Sequence, residues 1–277
     1  LQKIGITAMV GDRVIVEEAD WQSGRGVVAD VFPRHSVLDR PPIANADRVL
    51  LLFAFAEPAL DPYLLSKFLV KAESTGLQVS LCLNKSDLVT EIQRTEWCDR
   101  LESWGYQPIA ISVTTGTGVQ ELQARLDRQI TVFAGHSGVG KSSLTNALIP
   151  DLNLRVATVS GKLSRGRHTT RHVELFTMPT GGLIADTPGF NQPDLSCTPI
   201  ELPSYFPEIR QRLAHGHCQF SDCSHRDEPN CVVRGNWKRK SHAGKKQFEP
   251  KLDSKYRQIS RHTIGQALNE ISDELDL

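Results

Sequence analysis

The sequence predicts an α/β fold in which helices cover both faces of a parallel sheet, with a smaller domain at each end of the chain. Three observations predict it. Strand-like and helix-like stretches alternate over residues 48–200, and short β-like runs precede them. After about residue 200, Cys, His and Pro dominate up to residue 231. Such alternation is typical of parallel sheets, because parallel strands need a helix-sized crossover between them.

The elements of the α/β region follow from apolar runs and from the residues that end them. Arg48 to Phe55 is almost wholly apolar and predicts a buried strand. Two helix-like stretches close at Gly76 and Gly105, since glycine is favoured just past a helix end. The predicted strands are 48–55, 78–83, 108–111, 130–134 and 182–185, and the predicted helices are 62–75, 91–104, 119–128 and 143–149.

Changes in composition and hydrophobic pattern along the sequence predict three domains. Residues 1–40 predict a small sheet or a piece of a barrel, and residues 41–200 form the α/β domain. Residues 201–277 predict a metal-binding domain with a basic tail and a C-terminal helix. Pro41 and Pro42 predict an extended linker between the first two domains.

The composition of the chain excludes some classes of protein and favours others. The 277 residues include 32 basic and 32 acidic side chains, which excludes a uniformly basic nucleic-acid coat but not a local basic patch. No apolar run approaches the roughly 18 residues of a membrane span, and we expect no membrane partner. Three of the six cysteines lie between residues 218 and 231, which favours a metal site in a reducing compartment. We expect a cytoplasmic monomer, or an organelle protein if a transit segment precedes residue 1.

A glycine-rich loop joins the strand at 130–134 to the helix at 143–149. Its sequence, Gly-His-Ser-Gly-Val-Gly-Lys-Ser, matches the phosphate-loop pattern GxxxxGK[ST] in the strand–loop–helix context that supports it. Backbone N–H groups of such a loop surround phosphate oxygens, and the helix N-terminus favours negative charge. Lys141 reaches the β- and γ-phosphates and is a candidate catalytic residue, while Ser142 can hold Mg²⁺. The predicted phosphate-binding residues are Gly135, His136, Ser137, Gly138, Val139, Gly140, Lys141, Ser142 and Ser143.

Two further loops indicate that the nucleotide is guanine. Asn84-Lys-Ser-Asp87 follows a strand and matches the NKxD base reader of GTPases. The Asp87 carboxylate can accept two hydrogen bonds from guanine, whereas adenine offers no matching pair of donors. Asn84 can bond the base and brace the phosphate loop, and the Lys85 stem can pack over the ring. Ser112 and Val113 follow the next strand and resemble the short loop whose backbone reaches the guanine O6.

A third motif predicts a segment that moves with the nucleotide state. Asp186-Thr-Pro-Gly189 matches DxxG, in which Asp186 can hold Mg²⁺ through water and the Gly189 N–H can contact the γ-phosphate. Between the phosphate loop and this motif, Thr169 and Thr170 offer a further Mg²⁺ ligand. We favour Thr170, by likeness to the Gly-Thr-Thr-Arg stretch of other bacterial GTPases.

The order of these motifs departs from that of ordinary GTPases, in which the phosphate loop comes first and NKxD last. Here the base reader (84–87) precedes the phosphate loop (135–142), and DxxG (186–189) comes last. One site can still form if the chain is circularly permuted. DxxG would then pass nucleotide-driven motion directly to the residues beyond 190.

Four residues near the end of the chain predict a zinc site. Cys218-x4-Cys223-x-His225-x5-Cys231 supplies three thiols and one imidazole, the donor set of a closed tetrahedral Zn²⁺ site. Such a site is structural, since no position is left for water. His215 and His217 are spare donors nearby, so ligand exchange stays open.

These features together resemble the ribosome small-subunit-dependent GTPase A family (RsgA). The permuted motifs, the Cys/His spacing, the N-terminal β-module and the stretch Arg40-Pro-Pro-Ile-Ala-Asn-Ala-Asp47 carry the resemblance, over roughly residues 3–234. It implies an N-terminal OB-fold barrel, a circularly permuted P-loop GTPase domain and a C-terminal zinc domain. It also implies a GTPase that binds rRNA, is stimulated by the small (30S) ribosomal subunit and acts late in its maturation.

Two regions depart from the family pattern. An OB barrel has five strands, whereas residues 1–40 hold two or three, so we expect a truncated barrel. The tail diverges after about Arg234. Residues 232–262 contain ten Lys and Arg against two acidic residues, a net charge of +8. This stretch could follow a phosphate backbone, with Trp237 available to stack on a base, or it could be a solvated basic loop.

Phe190 stands where many GTPases carry a water-orienting glutamine. A phenyl ring cannot position water, so hydrolysis should be slow unless another group enters. His168 is our candidate because it lies in the expected switch loop, where neutral imidazole can orient water or accept its proton. The family resemblance points to the same residue.

Two functions other than a ribosome-directed GTPase are also compatible with parts of the sequence. The first is a nucleotide-gated RNA-binding module in which hydrolysis is incidental, as Phe190 and the basic tail suggest. The second is a phosphate-loop kinase or ATPase, which Asn84 and Asp87 disfavour.

Overall fold

The computed structural model forms two compact units. The first unit comprises Leu1–Pro58, Leu77–Leu88 and Ile109–Gln192, and the second comprises Ala59–Gly76, Val89–Pro108 and Pro193–Leu277. The three-domain division expected from the texture of the sequence stays a prediction. The structure describes residues 7–20, 22–23, 25–39, 41–152, 173–186 (Asp186 by its backbone), 190, 195, 197–198, 200–225 and 228–233.

Four short strands form two antiparallel pairs near the start of the first unit. β1 (Val14–Asp20) pairs with β2 (Arg25–Val31), and β3 (Val37–Asp39) pairs with β4 (Pro42–Ala44). The apolar runs of the sequence predicted β1 and β2, whose side chains are mostly exposed. The OB-fold assignment of this region stays a prediction.

The two prolines before the sheet do not form a free linker. β4 begins at Pro42, and both Ile43 and Ala44 are fully buried. The Ala44 N–H donates to the Val10 carbonyl at 2.8 Å, and a Cβ at Gly11 would lie only 2.1 Å from the Ala44 oxygen. The expected extended conformation is present, but the linker interpretation was wrong, because the residues after Pro42 pack against the start of the chain.

A six-stranded sheet forms the centre of the first unit. Its strands are β5 (Arg48–Ala54), β6 (Gln78–Asn84), β7 (Ile109–Ala110), β8 (Ile130–Ala134), β9 (Glu174–Thr177) and β10 (Leu183–Asp186). They lie in the order β7–β6–β5–β8–β10–β9, and all neighbours are parallel except β9, which runs antiparallel to β10. The predicted parallel sheet is confirmed, whereas the antiparallel edge strand β9 was not predicted.

Five α-helices lie in the described part of the chain. They are α1 (Pro62–Glu73), α2 (Glu91–Glu102), α3 (Val119–Arg125), α4 (Lys141–Leu148) and α5 (Pro207–Leu213). Two of them start at side-chain caps: Asp61 accepts from the Tyr63 N–H before α1, and Thr90 and Gln93 form a capping box at α2. Helices α3 and α4 belong to the first unit, and the other three belong to the second.

The core of the first unit packs α3 and α4 against one face of the sheet. Every residue of β5 is buried, and alternate residues of that strand point into this core. Coverage of the opposite face by helices stays a prediction. The core includes Leu50, Leu52, Phe133, Ile184, Leu122, Leu126, Leu144 and Leu148. Each such side chain contributes about 1.5–3 kcal/mol when buried, which fixes the positions of the loops at the carboxyl ends of the strands. Within the described ranges, no helix has both the length and the apolar character needed to cross a membrane.

Candidate nucleotide site and metal centre

The phosphate loop starts where β8 ends and finishes in the first turn of α4. Gly135 has a φ of +142° and Gly140 a φ of +99°, conformations that glycine adopts without steric cost. A Cβ at Gly135 would lie 2.1 Å from the Leu52 oxygen, and one at Gly140 would lie 2.4 Å from Asn84 Nδ2. The loop therefore needs glycine at both positions to lie against β5 and the end of β6. Of the other predicted phosphate-binding residues, Val139 is buried, Ser137 is exposed, and Gly138, Ser142 and Ser143 are partly exposed.

The ammonium group of Lys141 folds back over the phosphate loop. Its Nζ donates to the carbonyl oxygens of Gly135 at 2.6 Å and His136 at 2.8 Å. The His136 ring packs edge-on against Phe53, with centroids 5.4 Å apart and planes at 67°. The positive charge of Lys141 thus lies at the phosphate loop. The ring contact with Phe53 restrains His136, whose carbonyl accepts one of the Lys141 hydrogen bonds. The contact with Phe53 was not predicted, although an aromatic residue inside the loop was its signal in the sequence.

One buried amide joins three of the predicted motifs. Asn84 ends β6 and is only 3% exposed. Its Nδ2 donates to the Val139 carbonyl at 2.9 Å, and its Oδ1 accepts from the Val113 N–H at 3.2 Å. The base-reader strand, the phosphate loop and the loop after β7 are therefore held together at one edge of the sheet. The expected hydrogen bond from Asn84 to the phosphate loop is present, and the bond to Val113 was not anticipated.

The remaining residues of the predicted guanine site differ in exposure. Lys85 has a φ of +61°, and its Nζ donates to the Glu57 carbonyl. Asp87 lies in a 3-10 turn with its side chain exposed, so the carboxylate is accessible to a ligand. Ser112 is 1% exposed, and its Oγ accepts from the Thr115 N–H at 3.2 Å. The Ser112 hydroxyl therefore shapes its own loop, and the Ser112 N–H donates to the Thr117 carbonyl at 2.9 Å.

The chain after β10 returns to the phosphate loop. β10 ends at Asp186, whose backbone lies in register with Phe133 at the end of β8. Phe190 is 1% exposed, and its carbonyl accepts from the Gly135 N–H at 3.4 Å. The structure thus brings the end of the DxxG segment beside the phosphate loop, as the permuted order requires. The predicted residues His168, Thr170 and Gly189 lie outside the described residues.

The four predicted zinc ligands lie together in the second unit. The ligand atoms of Cys218, Cys223, His225 and Cys231 are all within 4.8 Å of one another. The sulfurs of Cys218 and Cys231 are 3.9 Å apart, and His225 Nδ1 lies 3.5 and 3.4 Å from them. Zinc bonds of about 2.3 Å to sulfur and about 2.0–2.1 Å to nitrogen imply tetrahedral separations of about 3.8 and about 3.6 Å. The cluster therefore fits zinc in both its donor set and its spacing.

The two spare histidines do not join this cluster in the described part of the chain. His215 Nδ1 lies 2.7 Å from the Gln211 carbonyl, and the His217 side chain is exposed. Among the residues that the structure describes, the cluster that could hold a metal ion consists of the four predicted ligands. The structure thus favours the ligand set given by the spacing over ligand exchange.

Burial sets the protonation of two of the ligands. Burial and the neighbouring thiols of Cys218 and Cys231 raise the pKa of Cys223 to about 12. Burial lowers the pKa of His225, although the Glu228 carboxylate acts against it. Without metal, the cluster therefore holds a neutral Cys223 thiol and a neutral imidazole near pH 7. Neutral imidazole is the form that binds metal, whereas a thiol must release its proton to do so.

The fold and the nucleotide site together define the class of protein. A phosphate loop at the carboxyl end of a parallel strand, with the base-reader sequence ahead of it in the chain, is the arrangement of a circularly permuted P-loop GTPase. The chain belongs to the RsgA GTPase family, whose sequence profile matches residues 31–196. The chain is therefore a GTPase, and the resemblance inferred from its motifs is confirmed.

Relatives with assigned names extend this likeness over nearly the whole chain. The "Small ribosomal subunit biogenesis GTPase RsgA 1" of a Nostoc species is 56% identical over 306 residues, which cover 99% of this chain and 83% of that protein. The "Small ribosomal subunit biogenesis GTPase RsgA" of a Synechocystis species is 45% identical over 324 residues, which cover 100% of this chain and 88% of that protein.

Two solved structures share the fold. YjeQ from Thermotoga maritima superposes with a TM-score of 0.76 at 32% identity, covering 95% of this chain and 87% of that chain. YloQ, described as a circularly permuted GTPase, superposes with a TM-score of 0.74 at 30% identity, covering 96% of this chain and 84% of that chain. The circular permutation deduced from the order of the motifs is therefore confirmed.

Proposed function

We propose that this chain hydrolyses GTP during the biogenesis of the small ribosomal subunit. The names of the Nostoc and Synechocystis relatives support the partner and the process. We further propose that it acts late in maturation, contacts the rRNA of that subunit and is stimulated by it. The basic stretch that follows residue 233 supports an RNA contact through its charge.

One observation carries the nucleotide part of this proposal. The Asn84 amide bonds the phosphate loop at Val139 and the loop after β7 at Val113. A single buried side chain thus connects the stretches proposed to bind phosphate and guanine. The bond to Val139 is buried and the bond to Val113 is partly buried. Together they favour a fixed separation of the two halves of the site, which is the preorganisation that tight ligand binding requires.

Individual roles follow from the positions of the side chains. The N–H groups of the phosphate loop and Lys141 would bind the β- and γ-phosphates. Asp87 would accept the guanine donors, and Lys85 would cover the base. Ser142, Thr170 and Asp186 would hold Mg²⁺, which neutralises phosphate charge when bound. The Gly189 N–H would contact the γ-phosphate in the triphosphate state.

The position after DxxG supplies no polar group for hydrolysis. The Phe190 side chain is 1% exposed, so it packs inside the protein. We propose that His168 orients the attacking water instead, as a neutral imidazole in the switch segment. This arrangement gives slow basal turnover that a partner can raise by ordering the segment.

The zinc cluster has a structural role in this proposal. Its four protein ligands complete a tetrahedron, so no coordination position is left for a substrate or a reactive water. The second unit would thus depend on zinc for stability while the chemistry takes place in the first unit.

Nucleotide choice and partner binding test the proposal together. The 277-residue chain with a fluorescent GDP analogue should lose the probe to GTP but not to ATP at similar concentrations, because Asp87 pairs with guanine alone. Co-sedimentation with purified small subunits should be stronger with a non-hydrolysable GTP analogue than with GDP. Equal displacement by ATP would contradict the guanine assignment. Equal co-sedimentation in both nucleotide states would contradict the switch.

His168→Ala tests the catalytic role separately from binding. This variant should bind GTP with unchanged affinity and lose most of its subunit-stimulated turnover, since a positioned acid or base contributes about 10²–10⁴-fold. His215→Ala is a matched control, because its ring lies against the Gln211 carbonyl in the second unit. Unchanged stimulated turnover in His168→Ala would remove His168 from the mechanism.

A further inference from the structure

Helix α1 and the zinc cluster share one hydrophobic core in the second unit. Val70, near the end of α1, is 1% exposed and packs in a cluster with Phe206, Ile209, Cys231 and Val233. The other two cysteines of the zinc site and Tyr63 of α1 pack against the same cluster. A helix from the α/β region of the sequence therefore contributes to the packing around a metal site that lies far from it in the chain.

A charged side chain ties the end of α1 to α5. The two Glu73 oxygens each have a partner: Tyr106 Oη donates to one at 3.0 Å, and Arg210 Nη2 lies 2.9 Å from the other. An acidic residue at a helix C-terminus is unfavourable with respect to the helix dipole. The position of Glu73 is therefore explained by its tertiary partners and not by the stability of α1 alone.

Helix α5 continues this connection to the metal cluster. Arg212 Nη1 donates to the Val233 carbonyl at 2.6 Å, two residues after the last ligand. A Cβ at Gly216 would lie 2.7 Å from Val232 Cγ2, so the turn after α5 also approaches the segment that follows Cys231. Packing and hydrogen bonds thus link α1 to α5, and they link α5 to the segment that carries the fourth ligand.

We propose that α1 and the zinc cluster fold as one cooperative unit, so that zinc binding orders α1 and Val70 supports the metal site. This inference rests on the proposed zinc site and adds that the metal controls a helix outside the ligand segment. The physical basis is thermodynamic linkage. The free energy of zinc binding contributes to the folding free energy of every segment that becomes ordered together with the site. Contacts that order with the metal must in turn contribute to its affinity.

Hydrogen exchange on the full-length chain tests the first half of this proposal. Zinc is removed with a chelator and then restored, and exchange is followed in peptides from α1 and from β5. Removal should speed exchange in α1 by about tenfold or more, while β5 in the first unit changes by less than about twofold. Restored zinc should restore protection. Unchanged protection of α1 in zinc-free protein overturns the inference.

A pair of matched variants tests the second half. Val70→Ala and Val49→Ala each remove the same two methyl groups from a fully buried valine, one in α1 and the other in β5. Val70→Ala should weaken zinc about tenfold in competition with a chromophoric chelator, and Val49→Ala should leave zinc affinity within about twofold. Equal losses in the two alanine variants would show that Val70 acts only through overall stability and would overturn the proposal.

The metal content of purified protein separates failure of this inference from failure of the zinc site itself. One zinc ion per chain, combined with an unaffected α1, overturns the cooperative unit and leaves the zinc site standing. Protein that binds no zinc after incubation with the ion overturns both.

Discussion

The nucleotide site draws on four separate stretches of the first unit, whereas the metal ligands fall between residues 218 and 231 of the second. In the nucleotide site, one side chain, Asn84, connects the stretches through the Val139 carbonyl and the Val113 N–H. In the metal cluster, the side chains themselves would be the ligands. The nucleotide site can therefore form from stretches that are far apart in the sequence, since the sheet brings their loops together. The metal cluster depends instead on the local spacing of its ligands in the sequence.

The two sites also differ in the secondary-structure elements that support them. The phosphate loop is held by β5 and β6, which are continuous with the core of the first unit. The cysteines pack against residues of α1 and α5, outside the ligand segment. Four experiments can sharpen or break the contrast between these two sites, and they follow from the largest expected effect to the smallest.

Cys231→Ser should have the largest effect: it should strongly lower the affinity for zinc and leave the affinity for GDP nearly unchanged. Loss of one of four ligands removes about 3–4 kcal/mol of the roughly 10–16 kcal/mol of a structural zinc site, or about 150- to 900-fold in affinity. GDP affinity should change by less than about tenfold, because the phosphate loop lies in the first unit. Zinc and GDP titrations of the same preparation measure both. Retained zinc affinity would contradict the ligand assignment.

Lys141→Ala should give the opposite pattern. The ammonium group would make charge-assisted hydrogen bonds to phosphate oxygens, so its loss should weaken GTP binding by about 3 kcal/mol, or roughly 150-fold. Zinc content should stay at the wild-type level, which metal analysis of the same sample checks. GTP binding that survives this change would rule out the phosphate-loop assignment.

Asn84→Ala should have an intermediate effect that is specific to the nucleotide site. It leaves the Val139 carbonyl and the Val113 N–H without their partner and should weaken GDP binding by about 2 kcal/mol, or about 30-fold. Asn230→Ala is a suitable control, since its exposed amide donates to the Gln219 side chain in the second unit, away from the nucleotide site. Equal effects of the two variants would mean that Asn84 does not connect the loops of the site.

Gly140→Ala and Gly116→Ala form the finest comparison. Both positions have positive φ, +99° and +78°, so both substitutions introduce backbone strain of about 1 kcal/mol. A Cβ at Gly140 would also lie 2.4 Å from Asn84 Nδ2, whereas one at Gly116 meets open space. GDP affinity should therefore fall about tenfold more in Gly140→Ala than in Gly116→Ala. A calorimetric titration of each variant gives the difference, and equal affinities would show that the contact with Asn84 is unimportant.

Much of the fold could be predicted because apolar runs and glycines mark its elements clearly. The strands β5, β6 and β8 were located to within about one residue, and Gly76 and Gly105 correctly marked where α1 and α2 are followed by turns. β9 was missed because Glu174–Thr177 is short, mixed in polarity and lies at the sheet edge. The proline pair was misread because nothing local shows that Ile43 and Ala44 are fully buried.

The candidate site was predictable in its motifs but not in its tertiary contacts. Phosphate-loop and base-reader patterns, and the Cys/His spacing, depend on local chemistry that the sequence displays directly. The bond from Asn84 to Val113, the packing of His136 on Phe53 and the place of Val70 beside the cysteines arise from tertiary folding. Hydrophobic periodicity marks Val70 as a core residue, yet it carries no information on which core it joins.

The decisive measurement is GTP turnover by the 277-residue chain with and without purified small ribosomal subunits. We predict slow turnover by the chain alone, because Phe190 supplies no polar group at the position directly after DxxG, and a rise of about tenfold or more with free small subunits. Large subunits and unrelated RNA should give no comparable rise. Turnover that is unchanged by small subunits, or raised equally by any RNA, would contradict it.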